Sequence, residues 1–238
     1  MQIKTWRDGW QYILHDAAAM PRPTPEQFDA SLWGEKELLV GSAVGRASVS
    51  FVRGGMSGKI WALRHYQRGG MARFVLGDRY GWTGLEQTRP WREFHLTASL
   101  HAHGLPVPKP VAARVIRSGL IYRGDLITEF IEDAAPVADV LAWRELPARD
   151  WNEIGALIAK FHKAGVRHDD INARNILRGG EHGYFLIDFD KAEIVPPGRW
   201  QARNLARFRR SLDKFKAASP KFRFQEADWD AVLAGYDG

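Results

Sequence analysis

Three oxygen-bearing side chains stand at a fixed spacing within residues 168–190, HDDINARNILRGGEHGYFLIDFD. Asp170 comes two positions after His168, Asn175 completes an H-x-D-x-x-x-x-N pattern, and Asp188 ends the apolar run Tyr184, Phe185, Leu186, Ile187. A carboxylate can take a proton from a hydroxyl, and carboxylate and amide oxygens are ligands for a hard divalent cation. Phosphoryl transfer needs these two kinds of group and little covalent help from the protein. Stepping from side chains to elements, residues 175–177 and 184–187 read as short strands joined by the glycine-rich turn 179–183. Such a hairpin brings Asn175 and Asp188 together. The plainer alternative is an ordinary hairpin with solvated acids at its ends. Three matched positions plus an apolar strand running directly into the last aspartate favour the chemical reading.

This spacing resembles the catalytic and metal loops of kinases. The resemblance implies that Asp170 orients the acceptor hydroxyl and takes its proton, that Asn175 and Asp188 are metal ligands, and that His168 is a structural brace. Two departures matter: Asp188, Phe189, Asp190 stands where protein kinases carry Asp-Phe-Gly, and no Ala-Pro-Glu follows. A switchable platform for protein substrates is therefore not expected. Small-molecule and sugar kinases of the same superfamily look like this.

At 238 residues and 45% apolar, the chain can bury a full core in one globular unit or two packed lobes. No apolar run reaches the roughly eighteen residues that a membrane span requires. The N-terminus, with Lys4, Arg7 and Asp8, has no apolar signal core, so a cytosolic location is expected. Zero cysteines exclude thiolate chemistry and disulfides. A net charge of +6, with a pI near 9.6, points to anionic partners without choosing among nucleotide, nucleic acid, acidic sugar and anionic lipid.

Residues 1–36 form an N-terminal extension contributing a strand, with a short helix at 28–33. Residues 37–132 form a β-rich lobe whose first strands, 38–44, 47–52 and 60–65, resemble those of a kinase N-lobe. In that layout Gly41, Gly45 and Arg46 belong to the turn over the nucleotide phosphates, where small residues let backbone N–H groups approach. A Gly-x-x-x-Gly turn is equally compatible with an ordinary hairpin. The third strand ends Trp61, Ala62, Leu63, Arg64, similar to the V-A-I-K pattern with arginine for lysine, and Arg64 can pair with phosphates and a helix carboxylate. A helix over 91–103 offers Glu93 as that carboxylate. Residues 129–133 fall at the connection between lobes.

Residues 67–92 form an insertion rich in Gly, Arg and aromatics. There the run RHYQRGG, followed by GDRYGWTGLEQTRPWREF, resembles the 3-deoxy-D-manno-octulosonic acid (Kdo) kinase family of Gram-negative lipopolysaccharide synthesis, and the likeness continues through residues 168–190. It covers about three quarters of the chain. It implies a protein-kinase-like α+β fold with a small β-rich N-lobe and a helical C-lobe, use of ATP and Mg²⁺, and the 4-hydroxyl of a Kdo residue on a lipid A precursor as acceptor. It also implies a peripheral location at the cytoplasmic face of the inner membrane.

In the C-lobe, residues 133–238, Asp150 can cap a helix with Trp151, Ile154, Leu157, Ile158 and Phe161 as a buried stripe beneath the catalytic loop. Residues 199–216 are amphipathic, with Trp200, Leu205, Phe208, Leu212 and Phe215 opposite Arg203, Arg207, Arg210 and Lys214. This helix can lie on an anionic bilayer or pack on the lobe with its basic face solvated. A last helix closes the chain. The expected partners are ATP, a Kdo-bearing lipid A precursor and an anionic membrane surface, with no nucleic acid and a monomeric state. The rival readings are a phosphotransferase for a soluble alcohol, which would favour an acidic pocket for a cationic acceptor, and a nucleotide-binding pseudokinase, for which Arg64 and Asp190 speak and the intact Asp170, Asn175 and Asp188 speak against.

Overall fold

The computed structural model of the chain describes residues 1–35, 38–43, 49–54, 58–68, 77–180 and 183–238. They form two compact units, residues 1–103 with 108–130, and residues 104–107 with 131–238.

The first unit is built on an antiparallel sheet of β1 (Ile3–Asp8), β2 (Gln11–Asp16), β3 (Leu39–Ala43), β4 (Val49–Arg53), β5 (Ile60–His65), β6 (Tyr80–Gly81), β7 (Pro110–Ser118) and β8 (Ile121–Glu129). Its order is β1-β2-β7-β8-β5-β4-β3, with β6 paired to β8. Because successive strand residues point to opposite faces, neighbours divide between two cores. Leu14, Ala113, Val115 and Leu126 pack with Trp91, Phe94 and Ala98 of α2 (Arg89–Ala102). Ile13, Ala112 and Ile127 join Trp61, Leu63 and Val52 in the other cluster, which Met20, Phe28 and Trp33 complete. Gly124 lets the start of α2 approach the sheet, since a Cβ there would lie 2.3 Å from Pro90 Cγ.

Residues 1–36 differ from the expected extension. They supply a hairpin, not one strand, and β2 pairs with β7 from Gln11 opposite Ile116 to His15 opposite Ala112. Gly9 and Trp10 turn the chain, with Gly9 at φ +53°. The segment that follows, including α1 (Ala30–Glu35), covers the second core, and Gly34 lies inside α1 rather than ending it.

The second unit comprises β9 (Ala134–Pro136), α3 (Val137–Trp143), α4 (Ala148–Lys163), β10 (Val166–His168), β11 (Ile176–Gly179), β12 (Tyr184–Leu186), β13 (Ala192–Ile194), α5 (Trp200–Ala218) and α6 (Glu226–Asp237). β11 sits between β12 and β9, and β10 pairs with β13. The stripe Trp151, Ile154, Leu157, Ile158 and Phe161 of α4 is buried, as its spacing predicts. Helices α4 and α6 meet backbone to backbone: a Cβ on Gly155 would lie 2.0 Å from the Val232 carbonyl oxygen, and one on Gly235 2.0 Å from that of Asn152. Asp150 does not cap α4. Pro147 precedes the helix, and Asp150 sits in its first turn, where its carboxylate accepts from Arg178 Nε at 2.9 Å.

The apolar face of α5 packs inside this unit. Phe208 and Leu212 are fully buried, Phe208 meets Trp229 at 6.2 Å between ring centroids, and Trp200 meets His162 at 4.9 Å. These side chains cannot also enter a bilayer, so of the two readings of this helix the packed one holds, with the apolar face inside the unit. Arg203, Arg210 and Lys214 remain exposed. No helix among the described residues is long and apolar enough to cross a membrane.

Candidate active site

In the second unit residues 168–190 are held by main-chain geometry that the sequence dictates locally. β11 and β12 pair with Ile176 opposite Leu186, and the Ile187 N–H donates to the Asn175 carbonyl at 2.9 Å. This register puts Asn175 beside the residue that precedes Asp188, as the hairpin reading requires. Asp188 itself adopts φ 65°, ψ 67°, a left-handed conformation uncommon for any residue but glycine. A strained backbone of this kind persists where the surroundings over-determine it, and such residues cluster at functional sites.

His168 links the loop to this strand. It is buried, its Nδ1 accepts the Asp170 N–H at 3.2 Å, and Nε2 therefore carries the proton and donates to the Ile187 carbonyl at 3.1 Å. Burial pushes its pKa below the usual imidazole range, so it stays neutral and keeps this tautomer. The ring also meets Phe189 edge to face at 5.2 Å. His168 thus ties Asp170 on one side to Ile187, next to Asp188, on the other.

Asn175 Nδ2 donates to the Asp170 carbonyl at 2.9 Å and Asn172 Nδ2 to the same oxygen at 2.7 Å. With its nitrogen so engaged, Asn175 keeps Oδ1 as an acceptor. An amide oxygen and the Asp188 carboxylate are the hard donors that Mg²⁺ takes, with water and phosphate oxygens filling the remaining positions, so the residues present fit that ion. The Asp170 carboxylate is partly exposed and bound by Arg207 of α5, Nη2 to Oδ1 2.5 Å.

In the first unit the structure brings Arg64 and Glu93 together. Arg64 Nη2 and the Tyr66 hydroxyl both donate to Glu93 Oε2, Arg64 Nη2 reaches Tyr66 Oη at 3.1 Å, and the guanidinium lies 4.7 Å over the Tyr66 ring. Glu93 is buried, and burying a carboxylate costs far less where hydrogen-bond donors hold it than where it stands alone. Tyr66 was not anticipated as a member of this group. Its signal was the period of two that sets residues 64 and 66 on one face of the chain.

Gly41 falls elsewhere than expected. It lies inside β3 opposite Phe51, next to a register shift between Leu39 and Gly41, and not in the turn that follows. That turn, with Gly45 and Arg46, lies outside the described residues. So do residues 69–76 of the basic insertion. In the remainder of the insertion, β6 joins the sheet, and the guanidinium groups of Arg68 and Arg89 each stand 4.7 Å from the Tyr80 ring centroid.

Residues 30–236 match the model of the lipopolysaccharide kinase (Kdo/WaaP) family. The chain is similar to a 3-deoxy-D-manno-octulosonic acid kinase of Haemophilus influenzae, with 38% identity over 232 residues, 95% of this chain and 96% of the relative. It is similar to kinases of the same name from Photobacterium profundum, 40% identical over 227 residues and covering 95% of each chain, and from Vibrio parahaemolyticus, 40% identical over 231 residues, 97% of this chain and 95% of the relative.

Proposed function

The chain belongs to the lipopolysaccharide kinase (Kdo/WaaP) family, and we propose that it transfers the γ-phosphoryl group of ATP to the 4-hydroxyl of a Kdo residue on a lipid A precursor. The observation that carries this reading is near-full-length similarity to Kdo kinases in a chain whose Asp170, Asn175 and Asp188 sit on the tied loops described above. The test is transfer of labelled phosphate from ATP to a Kdo-bearing lipid A precursor by the purified protein. Aminoglycosides and choline serve as competing acceptors, and transfer to them in preference to Kdo overturns the assignment.

In the proposed mechanism Asp170 accepts the proton as the hydroxyl oxygen bonds to phosphorus, and the bridging oxygen leaves with ADP. Asn175 Oδ1 and Asp188 hold Mg²⁺, which when bound neutralises charge on the phosphate oxygens. Arg64, anchored on Glu93, contacts the nucleotide phosphates. Its replacement tests that role: Arg64→Ala strips a buried carboxylate of its cation, so we expect a loss of about 3 kcal/mol in stability together with most of the activity. Arg64→Lys keeps the charge but not the fork, and is expected to fold normally with a raised KM for ATP and part of the turnover. Wild-type kinetics in a folded Arg64→Ala protein return Arg64 to a structural role.

A lipid-linked acceptor requires the enzyme to come to the bilayer, and we place it peripherally at the cytoplasmic face of the inner membrane. With the apolar face of α5 occupied, attraction through Arg203, Arg210 and Lys214 is electrostatic, at about 1 kcal/mol for each basic side chain. Reversing these three charges is expected to lower co-sedimentation with phosphatidylglycerol vesicles, most clearly at low salt, and to spare activity on a soluble Kdo saccharide. Unchanged sedimentation shifts attention to the first unit. There Trp10 and Leu120, on adjacent turns, are 58% and 82% exposed, and Arg117 stacks between Trp10 and Trp82 at 4.8 Å from each ring.

A further inference from the structure

Asp170 receives its cation from an unexpected element. Within the loop, Arg174 turns away, its guanidinium 5.3 Å over the Phe215 ring and 3.7 Å from Asp139. Arg167 pairs with Asp169 and Glu193 at 3.3 and 3.0 Å. Asn172, two positions after Asp170, spends its amide on the Asp170 main-chain oxygen. The carboxylate instead meets Arg207, thirty-seven positions along the chain.

That contact is one of three from a single helix face. Asn204 Oδ1 accepts the His168 N–H at 3.1 Å, Arg207 donates to Asp170, and Ser211 Oγ accepts the Ala173 N–H at 3.1 Å. Positions 204, 207 and 211 stand three and four apart, so α5 lays one polar row along the loop while Phe208 and Leu212 bury the adjacent row. The Arg207 side chain is 45% exposed and that of Asp170 28%, and an ion pair so open contributes little to stability. Of the guanidinium's five N–H donors, one is engaged by Asp170, and no second side-chain partner occurs among the described residues.

We propose that Arg207 is the oxyanion-binding residue of the acceptor site. It fixes the Asp170 carboxylate beside the reacting hydroxyl and presents its remaining N–H donors to a neighbouring oxyanion, either the carboxylate of the acidic sugar or the phosphoryl group in transit. This rests on the reading of Asp170 as the proton acceptor. Charge balance gives the arrangement its chemistry. The hydroxyl O–H bond breaks, its oxygen bonds to phosphorus, the β–γ bridging bond breaks with its electron pair on ADP, and the proton settles on Asp170. Neutralising that carboxylate releases the cation to the oxyanion at the moment negative charge is being passed.

The experiment compares Arg207→Ala and Arg207→Lys with wild type on soluble Kdo and on Kdo whose carboxyl is reduced to the alcohol. Arg207→Ala is expected to lower kcat/KM for the acceptor about 10²-fold, with an unchanged melting temperature and partial rescue by millimolar methylguanidinium. Arg207→Lys is expected to retain an intermediate rate. If the sugar carboxylate is the ligand, wild type loses rate on the reduced acceptor and Arg207→Ala loses nothing further there, with the change mainly in KM. If the phosphoryl group is the ligand, both acceptors suffer alike and the change lies in kcat. Wild-type kinetics in Arg207→Ala, or a loss that methylguanidinium does not rescue and that tracks a lowered melting temperature, overturns the proposal. Full activity in Asp170→Asn overturns the reading beneath it instead.

Discussion

Asp170→Asn is expected to reduce phosphate transfer to a Kdo acceptor by roughly 10²- to 10⁴-fold, the range contributed by a positioned general base. The amide keeps the shape of the side chain but cannot accept a proton from the hydroxyl. Stability should change little, because the ion pair lost with Arg207 is open to solvent and worth at most about 1 kcal/mol. The adjacent Asp169 supplies the contrast. Its side chain is 49% exposed and its carboxylate is paired with Arg167, so Asp169→Asn should remain close to wild type. Circular dichroism melting of both variants, beside their turnover, separates chemistry from folding. An active Asp170→Asn protein, or an Asp169→Asn protein equally impaired, would show that the wrong member of the Asp169–Asp170 pair has been assigned.

Much of the residue group in each unit could be read before any coordinates because its members lie close in sequence or on strongly patterned elements. Asn175 and Asp188 are joined by one hairpin, and hairpin register follows from local alternation and turn chemistry. Arg64 and Glu93 are twenty-nine positions apart, but each ends or begins a regular element, so a strand and a helix suffice to place them. Arg207 was visible only as one cation on the polar face of an amphipathic helix. Periodicity tells which face of α5 is polar, yet nothing in a helical pattern distinguishes a solvated arginine from one that meets a carboxylate. The same limit left the role of the apolar face of α5 open between a membrane and the lobe. An apolar stripe of Trp200, Phe208 and Leu212 is equally suited to a bilayer and to the interior of its own unit, and only the tertiary partners, Trp229 and His162 among them, decide.

The first thirty-six residues show a different failure. Pro21 and Pro23 lie in irregular chain and Pro25 opens a 3-10 turn, whereas Asp8-Gly9 is a turn signal between aromatic and β-branched residues that otherwise read as one continuous strand. The pairing of β2 with β7 joins residues about a hundred positions apart, and no local pattern encodes such a partner. Gly41 lies one element earlier than its place in a turn suggests, for a related reason. A glycine pair at i and i+4 fits a phosphate-cradling turn, while the structure uses the first of them beside an irregularity of β3, where the strand register shifts.

Asp188→Asn is the second substitution expected to remove most activity, and it is unusually clean. The left-handed backbone at Asp188 would strain an alanine more than an asparagine, which with aspartate is enriched among the few non-glycine residues found there, so the amide leaves the conformation intact and removes only the negative charge. A neutral amide is a weaker ligand for a hard cation than a carboxylate. The Mg²⁺ concentration giving half-maximal ATP binding should therefore rise on the order of 10-fold or more. Turnover at saturating ATP should fall by about 10²-fold, since several kcal/mol of charge stabilisation depend on the ion and each 1.4 kcal/mol is a factor of ten. Asn175→Ala should weaken Mg²⁺-dependent ATP binding less, because it removes a neutral ligand, but it also frees one of the two amides that hold the Asp170 carbonyl. Its turnover should consequently fall further than its nucleotide affinity does. Calorimetric titration of ATP at a series of Mg²⁺ concentrations, read beside steady-state turnover, resolves the two effects. If ATP affinity and its dependence on Mg²⁺ are unchanged in both variants, Asp188 and Asn175 do not hold the metal, and the strained conformation at Asp188 serves only to turn the chain from β12 toward β13.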